Sequence, residues 1–290
     1  MTILFGLGAA LVYGFADFFG AVASKRLRPL LVTASAAWAG VAFIIFAAFT
    51  FGPLTQGATF TAEAILWGVI GGGFSAVGMS CLYAALAEGP ISILSPLSAL
   101  VAAIVPTVAG VVGGEQFSLI GWLAIALVLL AVGLVGFVPS ANLRLPSPRG
   151  LLFGIGAGVG IGVVMICLKQ PPAETGMATA ILIRGLNAAL LTVISGVLLL
   201  RGRVARTEFT SLGSKIWVLI ILTGCCDSMA NVLFRAAAVG GTLTIASVLT
   251  SLYPAGTILL ARFVLKEKIA TVQTVGIVLA LGASVLLALA

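Results

Sequence analysis

The sequence predicts an all-α integral membrane protein whose ten transmembrane helices form two inverted five-helix repeats. Three observations lead there. With 61% hydrophobic and 8% charged residues among 290, and a mean hydropathy of +1.27, the chain carries more apolar surface than a soluble core of this length can bury. Ten apolar stretches of about 20 residues each, enough to cross a hydrocarbon layer of ~30 Å, are separated by short polar segments. Finally, the chain reads one pattern twice. Phe5, Gly6, Gly8, Ala9 and Gly14 recur as Phe153, Gly154, Gly156, Ala157 and Gly162. Ile93, Ser95, Leu97, Leu100 and Glu115 recur as Ile245, Ser247, Leu249, Leu252 and Glu267. Five spans per copy is an odd number, so the second copy threads the bilayer in the opposite sense, the arrangement found in many secondary transporters.

The spans fall at about 2–23, 30–51, 64–87, 91–112, 118–138, 150–169, 177–200, 215–237, 242–263 and 270–289. Helices are expected because they satisfy their own backbone hydrogen bonds in lipid, and the stretches lack the alternation of barrel strands. The first span has no basic leader and exceeds a signal-peptide apolar region, so it is expected to remain as a helix. The repeats are expected at 1–138 and 150–290, joined by a linker at 139–149 that holds Pro139, Pro146 and Pro148. No soluble domain is expected.

Charge orients the bundle. Lys25, Arg26, Arg28, Arg144, Arg149, Arg201, Arg203, Arg206, Lys215, Arg262, Lys266 and Lys268 all flank one side; Lys169 and Arg235 flank the other, and Arg184 lies inside a span. The positive-inside rule makes the basic side cytoplasmic and puts both termini outside, in a multi-pass protein of the cytoplasmic (inner) membrane. The net charge of +7 then reflects topology and contact with anionic lipid rather than nucleic-acid binding.

Composition also removes chemistries. The chain has no histidine, which excludes zinc sites built on histidine and Ser-His-Asp triads. Cys81, Cys167, Cys225 and Cys226 fall within spans without CxxC spacing and read as small apolar packing residues. Gly154, Gly158 and Gly162 make a small-residue face for close helix approach, not a phosphate loop. No cofactor or metal is expected.

Polar groups at membrane depth carry the remaining signal, because a charge in hydrocarbon costs at least ~3 kcal/mol and so should face protein or water. Asp17, Arg184 and Asp227 are such groups. Counting ~1.5 Å per residue puts Arg184 and Asp227 within a turn of each other in depth, and a pair across adjacent helices is expected, either as a structural bridge or as part of a substrate site. Asn187 and Asn231 share the faces of Arg184 and Asp227. Span nine adds Thr244, Ser247, Thr250, Ser251 and Tyr253, although hydroxyls in membrane helices often bond back to their own carbonyls. The first half adds a second layer: Tyr13, Asp17, Trp38, Met79, Tyr83, Ser92, Ser95 and Ser98. Within that layer Asp17 has a simpler explanation, solvation or pairing with Lys25 or Arg26, and Trp38 and Tyr83 have one in packing or an interface belt. Pro96 and Pro106 in span four and Pro254 in span nine are expected to interrupt their helices and act as hinges. Glu115 and Glu267 end those helices at matched positions and read as structural.

The segments YGFADFFGAVASKRL (13–27), LYAALAEGPISILSPLSAL (82–100) and ANVLFRAAAVGGTLTIASVLTSLYPAGTILLARFVLKEKIATVQTVGIVLALGA (230–283) resemble the EamA-like branch of the drug/metabolite transporter superfamily. The likeness spans essentially the whole chain, with one departure: Ala102 stands in the first half where Pro254 stands in the second. The resemblance implies a ten-helix carrier with a central cavity that exports or exchanges small metabolites, amino acids and related compounds among them. Together these readings give a secondary transporter of a small-molecule substrate working by alternating access in the lipid bilayer as monomer or homodimer, with protons as a candidate coupling ion. Two other classes stand beside it: an intramembrane enzyme acting on lipid or prenyl phosphate, and a passive channel or assembly subunit.

Overall fold

The computed structural model describes residues 1–52, 55, 57–88, 91–137, 145–201, 213–266 and 269–289; the side chains of Tyr83, Leu86, Ala87, Ile91, Ser92 and Ser95 also lie outside the described set. Within it the helices are α1 (Thr2–Ala23), α2 (Pro29–Thr50), α3 (Ala62–Glu88), α4 (Ile91–Val112), α5 (Leu119–Gly136), α6 (Pro148–Lys169), α7 (Ala178–Leu200), α8 (Ser214–Val239), α9 (Leu243–Thr250), α10 (Tyr253–Leu260) and α11 (Thr271–Leu289). A π-helical turn, Ala261–Leu265, continues α10. Since α9, α10 and that turn together make one span, the chain crosses ten times, as two inverted repeats. Arg144, Arg203, Arg206, Glu267 and Lys268 lie outside the described residues.

Local chemistry sets the helix starts. Pro29 and Pro148 occupy the first turns of α2 and α6, where the missing N–H is no loss. Ser118, Ser147 and Thr242 cap α5, α6 and α9 by accepting from Gly121, Gly150 and Ile245 N–H at 3.1, 3.0 and 3.2 Å.

Inversion is visible in which helices touch. α1 packs on α8 as α3 packs on α6, and α2 packs on α8 as α3 packs on α7. Each is the same contact with the halves exchanged. α2 with α7, and α5 with α11, pair across the pseudo-twofold itself. Small residues allow this closeness, since lipid supplies no hydrophobic drive between helices and packing must hold them. At the α1–α10 crossing a Cβ on Gly14 would lie 2.5 Å from the backbone of Tyr253 and Thr257, and Gly160 of α6 meets Gly78 of α3 backbone to backbone.

Proline behaves differently in the two halves. The second-half span is broken as expected: α9 stops at Thr250, Ser251 and Leu252 turn, and α10 restarts with Pro254 in its first turn. In the first half the expectation fails, for α4 runs unbroken through Pro96 and Pro106. Neighbouring helices explain this. Pro96 sits in the notch left by Gly136 of α5, and the Pro106 ring sits against Gly162 of α6, so both bulky rings are accommodated by glycine. The Thr107 hydroxyl donates back to the Ala103 carbonyl of its own helix at 2.7 Å.

Candidate functional site

Interior polar groups lie on α1, α7, α8 and α9. Arg184 of α7 and Asp227 of α8 form the expected ion pair. Pairing is what makes them tolerable there, because either charge alone would be uncompensated in a poorly solvated place. Tyr13 of α1 donates its hydroxyl to Asn231 Oδ1 at 2.9 Å, and Asn231 Nδ2 donates to the Asp227 carbonyl at 2.8 Å. Asn231 therefore ties α1 to α8 through Oδ1 and bonds its own helix through Nδ2. Asn187, one turn beyond Arg184, is buried with Oδ1 unpartnered; Ser247 and Thr250 of α9 are fully buried with unpartnered hydroxyls. Ser251 follows the bland expectation and bonds back to the Val248 carbonyl at 2.7 Å.

Asp17 has a different environment. Gly6, Ala10 and Gly14, on the inward face of α1, are buried, yet Asp17 and Ala21 further along that face are exposed. This face turns toward α10 and α8, for Gly14, three residues before Asp17, packs on the backbone of Tyr253 and Thr257, and Tyr13, four before it, bonds Asn231. Asp17 is open to solvent there. No pairing with Lys25 or Arg26 occurs; among the described residues Asp17 has no hydrogen-bond or ion-pair partner.

The opposite end is sealed. Arg235 of α8, buried, donates to the Leu168 and Pro172 carbonyls at 2.6 and 3.0 Å and to Thr175 Oγ1 at 2.9 Å. Lys169 of α6 donates to the Ala238 carbonyl and, at 3.1 Å, to that of Gly241. Glu115 accepts from the Leu243 and Thr244 N–H groups at 2.5 and 3.0 Å, closing the start of α9. Backbone bonds Thr59 N–H to Thr175 O (3.1 Å) and Met177 N–H to Gly57 O (2.8 Å) join the α2–α3 and α6–α7 loops.

Several sequence candidates stand apart from this cluster. Trp38 lies on the exposed stripe of α2 with Ala42, Ile45, Phe46 and Phe49, and its indole N–H reaches Thr192 of α7 at 3.0 Å. It lies at the α2–α7 contact, while Ala36 and Gly40 on the buried face of α2 pack on Gly224 and Ser228 of α8. Ser98 is buried where α4 crosses Gly158 of α6, Met79 is half-buried on α3, and Tyr253 is half-buried at the start of α10. The side chains of Tyr83 and Ser95 lie outside the described residues. Sequence reasoning missed the roles of Arg235 and Lys169; it read Glu115 as structural without its bonds to the start of α9. The signal was present for the first two: by the 152-residue offset Arg235 falls opposite Tyr83, and by the 148-residue offset Lys169 falls opposite Ala21, so neither charge is repeated in the other half.

Comparison with known proteins decides the family. The model of the EamA-like transporter family matches residues 1–137 and 148–289, one copy on each half. The chain belongs to that family. No curated protein matches the sequence. A solved structure, described only as the crystal structure of a protein, superposes with a TM-score of 0.76 over 99% of this chain and 96% of its own, at 17% identity. At that identity the likeness supports the fold of this EamA-like transporter and nothing finer. It is a multi-pass membrane protein whose family match, one copy per half, accounts for the duplicated halves found in the sequence.

Proposed function

We propose that this EamA-like transporter is a secondary carrier that exports or exchanges small metabolites, amino acids or related compounds, by alternating access driven by a proton gradient. One observation carries the reading: an exposed carboxylate, Asp17, and a partly exposed ion pair, Arg184 with Asp227, lie inside the bundle, while the opposite end is held shut by Arg235, Lys169 and Glu115. A passive channel needs a path open at both ends, and an interfacial enzyme needs a reactive cluster at the surface; this geometry favours neither.

With the basic end taken as cytoplasmic, this conformation faces inward, both termini are extracytoplasmic, and the protein resides in the cytoplasmic membrane. Rocking of one repeat against the other would close the recess around Asp17 and release the latch at the far end. The break at Ser251–Leu252 ahead of Pro254 is the hinge in the second half, and Pro96 and Pro106 serve the first half as rigid packing points. Asp17 or Asp227 accepts the coupling proton, while Tyr13, Asn187, Asn231, Ser247 and Thr250 line the route, with Met79, Ser98, Ser251 and Tyr253 around them. Purified carrier in proteoliposomes should move a radiolabelled amino acid or amine saturably and faster under an imposed pH gradient. Non-saturable, gradient-independent leakage would replace this reading by a channel.

A further inference from the structure

We infer that the basic-side ends of α1, α2, α7 and α8 form one binding site for the headgroup of an anionic phospholipid. The inference goes beyond the transport reading and does not depend on which solute is carried.

Packing brings these four helix ends together. Leu27 of the α1–α2 turn, Leu31 of α2 and Ile220 of α8 are buried in one apolar cluster, with Leu199 of α7 and Ile216 of α8 packed against it. Cations stand at the rim of that cluster because they are its neighbours in sequence. Lys25 and Arg26 precede Leu27, Arg201 follows Leu199 by two residues, and Lys215 directly precedes Ile216. All four are exposed, and none has an ion-pair partner among the described residues.

Carboxylates are kept away from this corner. Among the described residues of the four helices only Asp17 and Asp227 are acidic, and they lie about two turns inside α1 and more than three turns inside α8. The stretch 202–212, outside the described residues, is itself net basic by composition, with Arg203, Arg206 and Glu208. The other sector of the basic end differs. There Glu88, at the end of α3, accepts from the Ser147 hydroxyl at 3.4 Å, two residues before Arg149. Like charges gathered without a counter-ion repel one another, so the corner of Lys25, Arg26, Arg201 and Lys215 attracts an anion.

The surroundings select a lipid over a dissolved anion. The four side chains are exposed rather than gathered in an enclosed pocket, so a dissolved anion would meet them across water and gain little. The same corner exposes apolar side chains: Leu200 beside Arg201, and Trp217 and Val218 close to Lys215. Trp217 is the residue type that settles at the headgroup level of a bilayer. Cations next to exposed apolar surface at helix ends match a molecule with phosphate at one end and acyl chains at the other, and the leaflet on the basic side presents it at that height.

Thermal-shift titration of the detergent-solubilised full chain tests this. Short-chain phosphatidylglycerol should stabilise the protein saturably, and phosphatidylcholine of equal acyl length should not. Arg201→Gln with Lys215→Gln should weaken phosphatidylglycerol roughly tenfold or more. Arg149→Gln with Lys266→Gln removes the same charge from the other sector and should change the affinity by about twofold at most. Arg201→Lys with Lys215→Arg keeps the charge and should bind as the parent does; binding as weak as in the glutamine pair would show that the loss is structural and would overturn the inference. Equal weakening by the two glutamine pairs means diffuse attraction to a basic surface and also overturns it. So does stabilisation by phosphatidylcholine equal to that by phosphatidylglycerol, or by inorganic phosphate at comparable concentration, which would make the corner a site for a dissolved anion.

Discussion

The Arg184 guanidinium and the Asp227 carboxylate meet across α7 and α8 inside the bundle, and Asn231 fastens the backbone of Asp227 while holding Tyr13 of the other repeat. One ion pair is therefore wired to both halves of the molecule.

Removing one partner strands the other charge in a poorly solvated interior. Asp227→Leu, which strands the buried Arg184, should lower stability by roughly 3 kcal/mol, and Arg184→Met by less, because the Asp227 side chain is 31% exposed. The double variant should recover a substantial part, because no lone charge remains. Thermal unfolding in detergent measures this; a double variant as unstable as the two singles combined would show that the pair is not coupled.

The α1–α10 crossing depends on the absence of one carbon atom. Gly14→Val should abolish or sharply reduce the yield of folded protein, since a Cβ there meets the backbone of Tyr253 and Thr257. Gly73→Ala and Gly185→Ala, where nothing lies within 4 Å of the added carbon, should be neutral or slightly stabilising through helix propensity. Size-exclusion profiles and melting temperatures of the three variants provide the comparison.

Arg235 holds the sealed end by satisfying three buried or partly buried acceptors. Arg235→Met leaves them unpaired, at about 1–3 kcal/mol each at most, and should shift the carrier toward its other conformation. Thiol labelling of Thr55→Cys, buried in this state, should speed up in the Arg235→Met background. An unaltered labelling rate would show that Arg235 stabilises the fold without gating it.

Topology has its own check. Lys25 and Lys266, exposed at the basic end, should as single cysteine substitutions react with a membrane-impermeant reagent only in inverted vesicles, and Thr59, exposed at the other end, only in intact cells. Labelling of Lys25→Cys and Lys266→Cys from opposite sides would refute the inverted arrangement.

The break in span nine was legible because Pro254 removes a donor from a helix whose continuation has none to spare. The same residue type misled in span four: Pro96 and Pro106 look like breaks until Gly136 and Gly162, on other helices, are seen to receive their rings. Likewise the depth of Trp38 along α2 does not say which neighbour it meets, and the packing of Ala36 and Gly40 on α8 is what leaves its indole N–H at Thr192 of α7.

From its sequence alone this protein had its solvent, its ten crossings, its duplication and the pairing of Arg184 with Asp227 determined. Those follow from hydrophobic length, from self-similarity and from a rise of about 1.5 Å per residue, all properties read along one dimension. Which way each side chain faces, that Asp17 stands unpaired, and that one end is latched by Arg235, Lys169 and Glu115 were decided only by the tertiary structure. The physical reason is that partnering in a membrane interior is a contest among neighbours from distant parts of the chain, and its outcome depends on which glycines let which helices approach.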